Sequence, residues 1–156
     1  MPRITALLHT ANDARRIGRA LDSLRCCDEL LVLDHGSADA TVRIARQHGA
    51  RVEQASSATD PGPDHAAHDW VLCLLPSEAL SESLEATLLE WKREDPGDAV
   101  AYLMALRQET GNGWQHLAPE VRLVDRRKIV WSGALPSPRE DALSLCGDLL
   151  RFRDPS

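Results

Sequence analysis

Short apolar runs alternate along the chain with longer stretches in which apolar residues recur every three or four positions. The runs are residues 4–8 (Ile-Thr-Ala-Leu-Leu), 30–33 (Leu-Leu-Val-Leu) and 70–75 (Trp-Val-Leu-Cys-Leu-Leu). Unbroken runs of this length suit strands covered on both faces, as in a parallel sheet. Between the first two, residues 14–24 put Ile17, Leu21 and Leu24 on one helical face, with Arg15, Arg16 and Arg19 outside. Asn12 is a good cap for that helix. A second helix is predicted over 38–48, with Ser37 as its cap and Gly49 just past its end, and residues 51–54 read as a third short strand. The order βαβαβ predicts right-handed crossovers. Residues 55–64 (Ala-Ser-Ser-Ala-Thr-Asp-Pro-Gly-Pro-Asp) are rich in turn formers and are expected to be a mobile surface loop. After 75, Pro76 stops the strand. Ser77 or Ser81 then caps a helix reaching about residue 94, with Leu84, Leu88 and Trp91 inward. A fifth strand is predicted over 99–106, a turn at Gly111-Asn-Gly113, and a last strand over 143–152, where Gly147 argues against helix.

Size and charge narrow the function. At 156 residues the chain fits one domain, 1–156, with room for a real core. A formal net charge of −6 argues against nucleic acid or an anionic membrane as the main partner. Arg126-Arg127-Lys128 is the one short basic cluster and reads as a solvated turn. No apolar run approaches a membrane span, and Arg15, Arg16 and Arg19 come too early for a signal-peptide core, so a cytoplasmic location is expected. The four cysteines have no metal or redox spacing and read as reduced thiols. His65 and His68, three apart, could be drawn as a metal pair, but no third ligand stands at a motif-like spacing; they read as solvated loop histidines.

The candidate chemistry gathers behind the second strand. Asp34 follows four apolar residues directly, Gly36 permits a tight turn, and Ser37 stands before the next helix. In open α/β sheets ligands sit beyond the carboxyl ends of the strands. A carboxylate there can accept hydrogen bonds from a ribose or a base.

Asp34-His-Gly-Ser-Ala-Asp-Ala-Thr41 resembles the Asp-x-Gly-Ser-x-Asp-x-Thr signature of family 2 glycosyltransferases, the inverting nucleotide-sugar enzymes of GT-A fold. Flanking stretches agree: Thr10-Ala-Asn12-Asp13 stands for the family's Thr-x-Asn-Glu, and Arg19-Ala-Leu-Asp-Ser23-Leu24 for its Arg-x-Leu-x-Ser-Leu. Pro119-Glu-Val-Arg122-Leu123 and Trp131-x-Gly133 are similar to motifs of its lipopolysaccharide-core-type members. The resemblance implies an α/β, Rossmann-like, three-layer GT-A domain with a mostly parallel central sheet, and a site for a nucleotide or UDP-sugar. It implies that Thr10, Asn12 and Asp13 line the base pocket, that Asp34 contacts base or ribose, and that Ser37 and Asp39 form the turn beneath. Asn12, Ser37 and Asp39 also have local structural roles open to them, as helix caps and a first-turn acid. His9 stands where the family has an apolar strand residue.

The resemblance also shows what is missing. Where relatives read Trp-Val-Leu-x-Leu-Asp-Ala-Asp-Glu, this chain reads Trp70-Val-Leu-Cys-Leu74-Leu75-Pro76-Ser77-Glu78. Both aspartates of the Asp-x-Asp motif are replaced, by Leu75 and Ser77. No two acidic residues anywhere in the chain are separated by a single residue, so no shift of register restores it. Leucine offers no oxygen, and one serine hydroxyl is a poor ligand for a hard cation. No divalent metal cofactor is therefore expected. Glu78 has an adequate role as a charge in the first turn of a helix. The family's Val-His-Glu near the acceptor is replaced by Leu135-Pro136-Ser137, and Arg151 stands at a frequent histidine position. No residue matches as catalytic base; Glu140 and Asp141 are merely near in sequence.

Three functions remain open on this reading. One is a degenerate glycosyltransferase, weakly active or inactive, that keeps part of a nucleoside site. Another is metal-independent transfer to a glycan or lipid-linked acceptor, with Arg107, Arg122, Arg139 or Arg151 stabilising the diphosphate. The third is a non-catalytic scaffold. Nucleotidyl transfer is set aside because the loop after the first strand has no glycine. An edge strand or the region around Trp114 could make a homodimer.

Overall fold

A computed structural model describes residues 1–131 and 133–154. The first half is a parallel unit of strands β1 (Ile4–Thr10), β2 (Glu29–Asp34), β3 (Arg51–Gln54) and β4 (Trp70–Leu74), with helices α1 (Ile17–Asp22) and α2 (Thr41–Gln47) in the crossovers. The second half adds β5 (Glu78–Leu80), α3 (Glu82–Trp91), β6 (Ala101–Thr110), β7 (Gly113–Asp125) and β8 (Leu143–Arg151). All eight strands form one sheet in the order β3-β2-β1-β4-β7-β6-β8-β5. β7 joins the two halves, antiparallel to both β4 and β6, while β8 runs parallel to β6. The expected α/β fold with a mostly parallel sheet is present.

The sheet curls. β5 is its far edge in hydrogen-bond order, yet the Leu80 N–H donates to Ser23 Oγ at 3.0 Å, just past the end of α1. The curl brings the end of β8 beside the start of α1. Gly147 makes it possible for β8 to lie tightly on α3: it has φ +101°, and a Cβ there would stand 2.6 Å from the backbone of Leu84.

The two faces of the sheet are covered differently. Alternate residues of β1 and β2 point to opposite sides, as the pleat requires. Ile4, Ala6, Leu8 and Val32 join Ile17 and Leu21 of α1, Ala45 of α2, and Leu84, Leu88 and Trp91 of α3 in the larger core. Leu7, Leu31 and Leu33 face a second core shared with Ala66, Val121 and Trp131. Described coil, rather than helix, covers this second face, and the segment between β3 and β4 holds only a single 3-10 turn, Pro63–His65.

Several boundaries differ from the sequence reading. α1 and α2 are shorter than predicted, and α3 begins after Ser81, whose hydroxyl accepts the Leu84 N–H at 3.2 Å, and ends at Trp91. β5 and β7 had no place in the predicted element order. Gly49 ends α2 with φ +85°, as expected.

The segment 55–64 is not loose where it crosses the second face. Asp60 accepts hydrogen bonds from the Ser56 and Gly62 N–H groups and the Ser56 hydroxyl, and pairs with His65. Gly62 has φ +90°, which disfavours a side chain, and a Cβ there would press on the Leu33 and Leu7 methyls at 3.1 and 3.3 Å. The Arg126 guanidinium holds the carbonyls of Pro63 and Ala66 at 2.9 and 2.8 Å, so it serves the packing of this segment rather than a solvated turn. The four cysteines are free thiols. Among the described residues, no helix is long and apolar enough to cross a membrane.

Candidate functional site

The turns after β1 and β2 are tied to each other, and all six candidate residues lie in the tie. The His35 N–H donates to the Thr10 carbonyl at 2.9 Å, extending the strand pairing by one step. Asn12 then adopts a left-handed backbone, φ +58°. Its N–H donates to Ser37 Oγ at 2.9 Å, and its side-chain oxygen accepts the Ala38 N–H at 2.8 Å. The Asp13 N–H donates to Thr41 Oγ1 at 2.8 Å. The Asp13 carboxylate accepts from the Thr10 hydroxyl (2.6 Å), the Ala11 N–H (3.1 Å) and Arg16 Nε (2.8 Å). Asp39 accepts from the N–H groups of Thr41 and Ala14 and from the Thr41 hydroxyl. Asn12 and Ser37 are therefore not helix caps: α1 and α2 begin after Arg16 and Ala40, with no side-chain cap. Their polar groups join the two turns across the sheet instead.

Asp34 stands behind this arrangement. It is 2% exposed. It accepts from the Ser37 hydroxyl at 2.5 Å, the Ser37 N–H at 3.1 Å and Gln54 Nε2 at 3.1 Å. Burial works to raise its carboxyl, but the Ser37 hydroxyl, the Gln54 amide and the N–H groups of Ser37 and Gly36 outweigh it and hold it below the usual carboxylate range. Asn12, Asp13 and Asp39, in contrast, line an open cavity of about 310 Å³, with Arg15, Arg16 and Asp154 on its other walls. A larger cavity, about 560 Å³, lies at the opposite end of β1 and β4 beside His68 and Arg93 and contains none of the candidate residues.

His9 and His35 flank the same strand ends on the second face. His9 Nε2 meets the Pro61 carbonyl at 2.7 Å, so that nitrogen carries the proton, and His9 Nδ1 then accepts from His35 Nε2 at 2.8 Å in the neutral pair. Burial holds His9 below the ordinary histidine range. The clasp fixes the 55–64 segment to the floor of the site. The one hint of it in the sequence was that His9 departs from the family's apolar pattern.

The turn after β4 has another construction. Glu78 is not in a helix: it lies in β5, fully buried, and its carboxylate folds back to accept the Leu75 N–H at 2.9 Å. Arg122 grips both its oxygens, at 2.6 and 2.8 Å, and also holds the Cys73 carbonyl. Arg151 adds two more bonds to Glu78, at 3.1 and 2.9 Å. Burial pushes the Glu78 carboxyl up, and Arg122 with the Leu75 N–H and Arg151 more than reverses this. The Leu75 side chain supplies no donor oxygen, both Glu78 oxygens accept from arginine, and among the described residues no group of three or more His, Cys, Asp or Glu is placed to hold a metal ion.

The arginines considered for the diphosphate are likewise engaged. Arg122 and Arg151 meet Glu78 and Glu120, Arg107 meets Asp148 at 3.0 Å, and Arg139 meets Asp141 at 2.8 Å. The histidines also part company. His65 pairs with Asp60 at the end of the 3-10 turn, whereas the backbone of His68 donates to Thr5, and both are half-buried.

No protein-family model matches the chain. It is similar to an uncharacterized glycosyltransferase of Rickettsia felis, 31% identical over 130 residues that make up 80% of this chain and 40% of the relative. A counterpart in Rickettsia bellii is 30% identical over 128 residues, 78% of this chain and 38% of the relative. The chain is family 2 glycosyltransferase-like, with a GT-A fold. Staphylococcus aureus TarS 1-349 superposes with a TM-score of 0.56 at 20% identity, over 71% of this chain and 37% of TarS; TarS is also known in complex with UDP. Mycobacterium tuberculosis glucosyl-3-phosphoglycerate synthase superposes with a TM-score of 0.54 at 22% identity, over 67% of this glycosyltransferase-like chain and 45% of the synthase. The chain thus spans about two fifths of the length of these curated relatives.

Proposed function

We propose that this glycosyltransferase-like domain binds a uridine nucleotide or UDP-sugar at the joined turns after β1 and β2, without a divalent metal, and that its sugar transfer is weak or absent. The observation that carries the reading is the joining itself. Thr10, Asn12, Asp13, Asp34, Ser37 and Asp39 come from two separate turns and share one hydrogen-bonded unit beside an open cavity. In this reading Asp34, Thr10 and Ser37 hold the turn from behind, and Asn12 and Asp39 meet the nucleoside. TarS, of similar fold, binds UDP, which supports the choice of nucleotide.

Two features favour loss of chemistry over metal-free catalysis. The metal-motif turn is closed by the Glu78–Arg122 pair, and Arg107, Arg122, Arg139 and Arg151 each face a carboxylate that already neutralises them. A departing diphosphate needs a preorganised positive group beside its leaving oxygen, and in this reading none of these four arginines serves. Calorimetric titration with UDP, in EDTA and in manganese, tests the reading. Binding that is the same in both buffers and is weakened by Asp34→Ala is expected. Binding or transfer that appears only with manganese overturns it.

A further inference from the structure

The curl of the sheet brings the segment after β8 to the cavity, where Asp154 forms part of the wall. The Phe152 N–H donates to the Ser77 carbonyl at 2.8 Å, and the Phe152 ring lies under the Arg19 guanidinium, 3.8 Å from its centroid. Arg153 is tied by its N–H to Glu109 at 3.0 Å. Asp154 then reaches the cavity wall and pairs with Arg16 Nη1. Two arginines of the α1 region thus hold the strap by opposite ends, one through an aromatic ring and one through a carboxylate.

Arg16 differs from the other arginines considered above. Its Nε is fixed by Asp13, which orients the guanidinium, its Nη1 pairs with Asp154, and the residue lines the cavity. The carboxylate on that nitrogen is 82% exposed on its own side, so little holds it there apart from Arg16. Asp13 and Asp39 also line the cavity, but their oxygens are taken up by the N–H and hydroxyl groups of the two turns.

We propose that Arg16 is the residue that receives the phosphates of the bound nucleotide, and that Asp154 is an internal anion which the nucleotide must displace. The inference rests on the nucleoside reading above and adds its anionic half. A guanidinium oriented at Nε by Asp13, whose Nη1 is met by the exposed carboxylate of Asp154, suits a phosphate that displaces that carboxylate and accepts two N–H groups at once. With Asp154 in place Arg15 and Arg16 face three carboxylates, Asp13, Asp39 and Asp154, and an incoming phosphate competes with Asp154 for the same Arg16 donors. Removing Asp154 removes that competitor.

The test is calorimetric titration of the full chain with UDP and with uridine, in EDTA, for the wild type, Asp154→Asn and Arg16→Gln. UDP is expected to bind wild type more tightly than uridine does. Asp154→Asn is expected to tighten UDP about threefold to tenfold, and Arg16→Gln to weaken it about tenfold, with uridine unchanged in both. Asp154 lies in an exposed strap, so its variant does not depend on the tolerance of the core, and circular dichroism verifies the fold of Arg16→Gln. Uridine binding with UDP indifferent to both substitutions overturns the role of Arg16 and leaves the nucleoside site standing. Failure of both ligands to bind any of the three proteins overturns the two readings together.

Discussion

The turns after β1 and β2 and the turn after β4 sit side by side at the carboxyl ends of one sheet, and they treat their carboxylates in opposite ways. At the first pair, Asp34 and Asp39 are held by hydroxyls, amides and backbone N–H groups. These donors fix the carboxylates without cancelling their charge. At the third, Glu78 is cancelled by Arg122 and Arg151 inside the core. A carboxylate held by neutral donors stays an anion in need of a partner, whereas one held by arginine has become part of the packing. In the function proposed above, the difference separates the turns that would meet the nucleotide from the turn that has become part of the core.

The comparison breaks most sharply at Arg122. Arg122→Met leaves Glu78 buried with only Arg151 to answer it, and a loss of about 3–5 kcal/mol in urea denaturation is expected. A loss under about 1 kcal/mol would show that the pair behaves like a surface bridge. Asp34→Ala is expected to cost less, about 1–3 kcal/mol, because it strands the neutral donors of Ser37 and Gln54 rather than a charge. The same variant should weaken UDP.

Acid sharpens the contrast further. Burial tends to raise the Asp60 carboxyl, but the Ser56 hydroxyl and N–H, His65 and the Gly62 N–H bring it down to about 2. Its folded value lies below that of the unfolded chain, so its stabilisation is full above about pH 4 and is lost as pH falls toward 2. His9, also lowered, contributes in the same sense at higher pH: its support is present above about pH 6.5 and fades as the solution is acidified below that. Thermal melts between pH 7 and about pH 2 should fall in two stages. Asp60→Asn should flatten the lower stage and His9→Gln the upper. The smallest effect is expected at Arg139, whose pairing with Asp141 lies in solvent; Arg139→Ala should leave the melting temperature unchanged.

Much of the parallel half was legible because its strands are continuous apolar runs, and a buried strand cannot be written otherwise. Residues 30–33 and 70–75 placed β2 and β4 almost to the residue. β7 was harder to read. Its first half is largely exposed and carries Gln115, His116 and Glu120, so it lacks the apolar signal, and only pairing with β6 makes it a strand. β5 has three residues, too few for any period to show. Polar residues misled in a different way. Ser37 and Asn12 have the chemistry of helix caps, and local sequence has no means of saying that each would find a better partner in the other turn. The same holds for Glu78: a glutamate shortly before a helix looks like a first-turn acid until Arg122, far along the chain, is folded against it.

The contact between Arg16 and Asp154 spans 138 residues of sequence. It can form only after β8 has found β6 and the far edge has swung round to α1. During synthesis, the half of the chain that carries the turns after β1 and β2 is made long before Asp154. An N-terminal half that folded early would hold Arg16 with Asp13 alone, its second carboxylate still to come.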